Sequence, residues 1–220
     1  MTLTATTRVA GFTFLFYIAA GVASMVLFGR AAAGEGIAAK LAAIAQHSSA
    51  VRVTILLELL QSCSALVLAV ALYAITRQQD RDLALLAMVC RVVEGVLGAV
   101  GIPSTLGLLW LATAPGAPDG PAAQALAAYL LRGNVALTAT FFAAGSTLFA
   151  WLLLRGRMIP RPLAWLGVVA SVLLVVGLPL QLAGFLRGPI ASLMWLPMLA
   201  FEVPLALWLL IKGVAGPAPG

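Results

Sequence analysis

The chain has 220 residues, 63% of them hydrophobic and only 9% charged, against about 45–50% and about 25% in a soluble domain. That composition excludes a disordered chain, a disulfide scaffold and a nucleic-acid-binding domain. The net charge of +6 comes from basic residues at the ends of apolar stretches, as membrane orientation requires. The expected fold class is all-α, a single polytopic transmembrane helix bundle of about six spans covering residues 1–220.

A bilayer core about 30 Å thick takes roughly 20 helical residues. Val9 to Gly29 carries no charge and is too long for the apolar core of a cleavable signal, so the first span is placed at 8–29. The loop from Arg30 to Ala50 contains AAGEGIAAKLAAIAQ, spaced as a short helix on the outer surface or a lid over an outward-facing cavity. The second span, 51–76, holds Glu58, and the third, 83–112, holds Arg91 and Glu94. TAPGAPDGPA then punctuates the chain. The fourth span, 124–154, opens with a more amphipathic turn from Ala122 to Arg132. The fifth is placed at 163–186 and the sixth at 189–212. No internal repeat is visible.

Loop charges set the orientation. Arg8, Arg77, Arg81, Arg155, Arg157, Arg161 and Lys212 share one side, against Arg30, Lys40, Arg52 and Arg187 on the other. The excess places both termini in the cytoplasm and the protein in the cell membrane. Trp151, Trp165 and Trp208 fall near the inner boundary, and Trp110 and Trp195 toward the outer one. Cys63 and Cys90 lie within apolar runs and are expected to be buried small hydrophobes.

Charges inside spans carry the chemical signal, because each costs a few kcal/mol at mid-bilayer. Arg91 and Glu94, i,i+3 neighbours, can pair as a structural salt bridge. Arg132, near the outer end of its helix, can snorkel. Glu58 and Glu202 have no such local partner. Glu58, Arg132, Asn134 and Glu202 are expected to line one cavity reached from outside. Three carboxyls against one or two deep guanidinia leave at least one glutamate protonated, a donor in search of an acceptor. Around Glu202 the sequence reads WLPMLAFEVPLALWLL; Pro197 and Pro204 each remove a backbone donor and are expected to kink the helix. A Pro-kinked packing helix whose Glu bonds a neighbour is the plainer reading.

His47 is the only histidine, so no histidine-built metal or haem site and no Ser-His-Asp triad is expected. No phosphate-cradling glycine motif occurs, and Asp80 and Asp82 sit beside arginines at a loop. No metal and no cofactor is expected.

The stretch RMIPRPLAWLGVVASVLLVVG and the later FEVPLALWLLIKG resemble the bacterial membrane family known as domain of unknown function 4386. The family's N-terminal R-x-A-G is matched by Arg8–Val9–Ala10–Gly11, and its third-span arginine–glutamate pair by Arg91 and Glu94. The resemblance covers nearly the whole chain and implies a membrane protein without implying a function. In layout the chain also resembles small integral-membrane terpene cyclases, which depend on one acidic residue early in the chain and one near the end. Glu58 and Glu202 occupy comparable places, although the fungal members have seven spans.

The leading expectation is a metal-independent cyclase in the bilayer, protonating an alkene or epoxide of a prenylated or isoprenoid substrate. Glu202 or Glu58 would be the acid, with Glu94 a further member of the catalytic set. Tyr129, Phe141, Phe142, Trp195 and Phe201 would shield the cation, with Arg132 and Asn134 as polar contacts. The expected partners are a hydrophobic small molecule and the lipid bilayer. The alternatives are a proton-coupled small-molecule carrier and a non-catalytic membrane partner protein.

Overall fold

The computed structural model describes residues 2–117, 120–133 and 135–214. Their secondary structure is helical, in the order α1 (Leu3–Ala31), α2 (Gly36–Gln46), α3 (Ser48–Thr76), α4 (Arg81–Thr113), α5 (Gly120–Arg132), α6 (Val135–Arg155), α7 (Arg161–Leu182), α8 (Pro189–Leu193) and α9 (Leu196–Ile211). Six segments are long and apolar enough to cross a membrane: α1, α3, α4, α5 with α6, α7, and α8 with α9. The all-α, six-span expectation holds.

The differences lie at glycines and prolines. The fourth span is two helices, because Gly133 takes φ +58° and ends α5 rather than continuing it. The fifth span stops at Leu182, short of 186, where Gly184 at φ +83° turns the chain and the Phe185 N–H caps back onto the Leu180 carbonyl at 2.9 Å. The sixth span is interrupted between α8 and α9 at Met194 and Trp195. Pro197 falls in the first turn of α9, where its missing N–H has no intrahelical partner to lose; it starts a helix instead of kinking one. Pro204 does lie inside α9.

The chain forms two compact units. The first comprises Met1–Phe16, Cys63–Gly95 and Val135–Gly220, the second Tyr17–Ser62 and Val96–Asn134. In the first, α7 packs against α6 and α9. Gly167 of α7 lies directly under the ring of Phe201, and Gly11 of α1 lies under the α9 backbone. A Cβ on Gly11 would stand 2.5 Å from the Leu210 nitrogen and 2.7 Å from the Ala206 oxygen, so only glycine permits that approach. In the second unit, α2 packs against α5, and Ile44, Val51, Leu108, Ala123 and Ala127 form a buried cluster. The helix expected in the first loop is thus present, anchored through Ile44.

Several hydroxyls within the spans bond to their own helices. Thr54, Thr76, Thr113, Thr140 and Thr147 donate to carbonyls four residues back at 2.7–3.1 Å, and Ser171 donates to Gly167 at 2.6 Å. This arrangement satisfies a polar group without a neighbouring helix. Cys63 is exposed and Cys90 half-buried, contrary to the expectation of two buried thiols. An apolar run here buries only part of its circumference, and Cys63 falls on the outer part.

Candidate functional site

In the first unit α4, α6 and α9 assemble a buried ion cluster. Arg91 and Glu94 are joined at 2.8 Å by the i,i+3 geometry of α4, and they are only 1% and 3% exposed. The guanidinium carbon of Arg91 stands 4.8 Å over the ring of Phe142 on α6, a cation–π contact in a desolvated setting. Phe142 in turn packs tilted against Trp195, with ring centroids 6.1 Å apart. One helical turn beyond Phe142, Gly145 lets the α6 backbone press on the Arg91 stem; a Cβ there would come within 2.9 Å of Arg91 Cγ.

Glu202 completes the cluster from α9. It is 7% exposed and interacts electrostatically with both Arg91 and Glu94. Its Oε1 is buried and has no hydrogen-bond partner among the described residues. A cavity of about 20 Å³ lies alongside, lined by Phe14, Arg91, Ser146, Phe149, Phe201 and Leu205 among others. That is room for about one water.

The other predicted residues are placed as follows. Glu58, half-buried on α3, belongs to the second unit and accepts a hydrogen bond from the Thr105 hydroxyl of α4 at 3.2 Å. The structure therefore groups Glu58 with Thr105, and Glu202 with Arg91 and Glu94. Phe201 is buried beside Glu202, Phe142 is buried against Arg91, and Trp195 and Phe141 are half-buried. Tyr129 is 72% exposed, and Arg132, also on α5, is exposed. Asn134 lies outside the described residues.

Sequence reasoning missed Gly145 and Thr105. Neither carries a local signal, since each matters through a residue on a different helix. Among the described residues no three His, Cys, Asp or Glu side chains gather as metal ligands.

Six helical segments apolar and long enough to cross a membrane, with the buried Arg91–Glu94 pair in one of them, define a multi-pass helical membrane protein. The family model for domain of unknown function 4386 (DUF4386) matches residues 9–213, and the chain belongs to that family. No curated protein and no solved structure gives a significant match.

Proposed function

We propose that this protein is a proton-coupled carrier of a hydrophobic small molecule, with Glu202 as the group that takes up and releases the proton. The observation that carries the reading is the composition of the buried cluster. Two carboxyls share one guanidinium, and one proton on the pair makes the cluster neutral. Glu94 is already engaged by Arg91 at 2.8 Å, which leaves that proton to Glu202, whose Oε1 has no hydrogen-bond partner among the described residues. Two further features support it. Span six is discontinuous at Met194 and Trp195, about two helical turns before Glu202, and broken spans beside midplane ionisable groups are the usual build of a carrier site. The adjoining cavity, bordered by Arg91, Ser146 and Phe201, has room for about one water-sized group beside the cluster.

A second reading, acid-initiated cyclisation of an isoprenoid, draws support from the aromatic side chains Phe142, Trp195 and Phe201 near the same carboxyl. It requires a cavity much larger than one water, and the face of Phe142 is already occupied by Arg91. In either reading the protein sits in the cell membrane with both termini in the cytoplasm. With native cysteines removed, cysteines placed in the 77–80 and 156–160 loops are expected to label only from the cytoplasmic side. Labelling of the second of these from outside would reverse the topology.

The test is proton flux in proteoliposomes holding a trapped pH dye, under an imposed membrane potential. Candidate cargo is a panel of small hydrophobic amines, acids and neutral terpenoids. A cargo-dependent proton signal is expected, and Glu202→Gln, which keeps shape but not the transferable proton, should abolish it while remaining folded. A folded, fully active Glu202→Gln would overturn the assignment. Conversion of a prenylated epoxide or alkene, seen by mass spectrometry without proton flux, would transfer it to the cyclase reading.

A further inference from the structure

Arg8–Val9–Ala10–Gly11 and the Lys212–Gly213 end of FEVPLALWLLIKG meet in the first unit, and neither the ion cluster nor the transport reading uses those residues. Gly11 of Arg8–Val9–Ala10–Gly11 is the point where α1 touches the α9 backbone at Ala206 and Leu210. One helical turn earlier, Arg8 lines a cavity of about 110 Å³ together with Thr4, Thr7, Lys212 and Gly213. By the measure that gives the Arg91 cavity one water, this one takes several water-sized groups. Gly213 turns the chain at φ +75° immediately after α9. A Cβ there would lie 3.3 Å from the Thr7 hydroxyl, so the turn wraps closely on the start of α1. The Thr7 hydroxyl itself donates to the Thr4 carbonyl at 2.9 Å.

The cavity thus carries two cationic side chains, Arg8 and Lys212, and no acidic one among its lining residues. Both are exposed, and neither has a salt-bridge partner among the described residues, whose ion pairs are Arg91–Glu94 and Arg155–Asp80. The site stands where the first span begins and the last one ends, which is headgroup depth. Basic pockets between spans at that level fit anionic headgroups, and a guanidinium beside an ammonium fits a phosphate oxygen set in particular.

We infer that Arg8 and Lys212, brought together by the Gly11 contact, form a binding site for a phosphate group, supplied by the headgroup of an anionic phospholipid. The Arg8 motif and the Lys212–Gly213 turn after the last span then have one joint role, to clamp the first and last spans through a shared lipid.

The purified full chain in a neutral detergent tests this through its melting temperature. Phosphatidylglycerol is expected to raise Tm by about 5 °C or more, and phosphatidylcholine to leave it unchanged. In the double variant Arg8→Gln/Lys212→Gln the phosphatidylglycerol rise should vanish, whereas the control pair Arg157→Gln/Arg161→Gln should keep it. Native mass spectrometry should show a retained phosphatidylglycerol in the wild type and in the control pair alone. If millimolar inorganic phosphate gives the whole rise, and the double variant abolishes that too, the phosphate chemistry stands and its source is soluble. An undiminished lipid response in the Arg8/Lys212 variant, or equal loss in the control pair, would overturn the site.

Discussion

The two compact units treat a carboxyl in the membrane in different ways. The first submerges Glu94 and Glu202 almost completely and answers them with Arg91, itself backed by the face of Phe142. The second leaves Glu58 half-buried and, among the described residues, gives it the hydroxyl of Thr105 alone. A guanidinium is a costly thing to bury, and its use in the first unit means that charge, not merely polarity, is being held at depth. A hydroxyl offers one hydrogen bond and no charge, so Glu58 relies on its remaining exposure. The same residue type is thus part of a closed ion cluster in one unit and a lightly tethered polar side chain in the other, according to what the neighbouring helix supplies.

The largest test of this contrast is Arg91→Met. It strands two carboxyls without their cation, and breaking such a buried set costs about 3–5 kcal/mol. Equilibrium unfolding in mixed detergent should register that loss; a change below about 1 kcal/mol would show the cluster to be no cluster. Removing Glu94 together with Arg91 should cost less than the two single changes added, because the pair shares one interaction.

The matching change in the second unit is smaller. Thr105→Val removes the hydroxyl from Glu58 and should cost about 0.5–1.5 kcal/mol, the worth of a single hydrogen bond. A loss as large as that of Arg91→Met would erase the distinction between the units. Smallest of all, Arg155→Ala removes the partner of Asp80, 3.4 Å away on the surface of the first unit with side chains 54% and 31% exposed. Less than about 1 kcal/mol is expected there, so an ion pair alone, without burial, should not reproduce the Arg91 effect.

Apolar run length made six spans legible, and the i,i+3 spacing made the Arg91–Glu94 pair legible, because both signals lie within one helix. The break at Gly133 was half signalled, since the sequence marks Ala122 to Arg132 as more amphipathic without marking a stop; the break at Met194–Trp195 was hidden, since apolar residues continue through it while the helix does not. Pro197 reads as a kink in a continuous span and becomes a helix start only once the preceding break is known. The grouping of Glu202 with Arg91 and Glu94 had no local signal either. It depends on which face of α9 meets α4, and close approaches such as Gly145 on Arg91 and Gly167 on Phe201 are encoded by the absence of a side chain.

The self-bonded hydroxyls of the spans bear on how the protein is made. A threonine already satisfied by a carbonyl of its own helix enters the bilayer with no polar debt to a helix not yet synthesised. The Arg91–Glu94 pair, closed within α4, likewise travels as a neutral couple. Glu202 is different, because its cation lies on a helix made far earlier. Synthesis runs at about 5–20 residues per second, so α4 waits in the membrane on the order of ten seconds before α9 emerges. The ion cluster is therefore the last piece of chemistry to be completed, and a nascent chain halted before α9 would hold every span but the one that closes it.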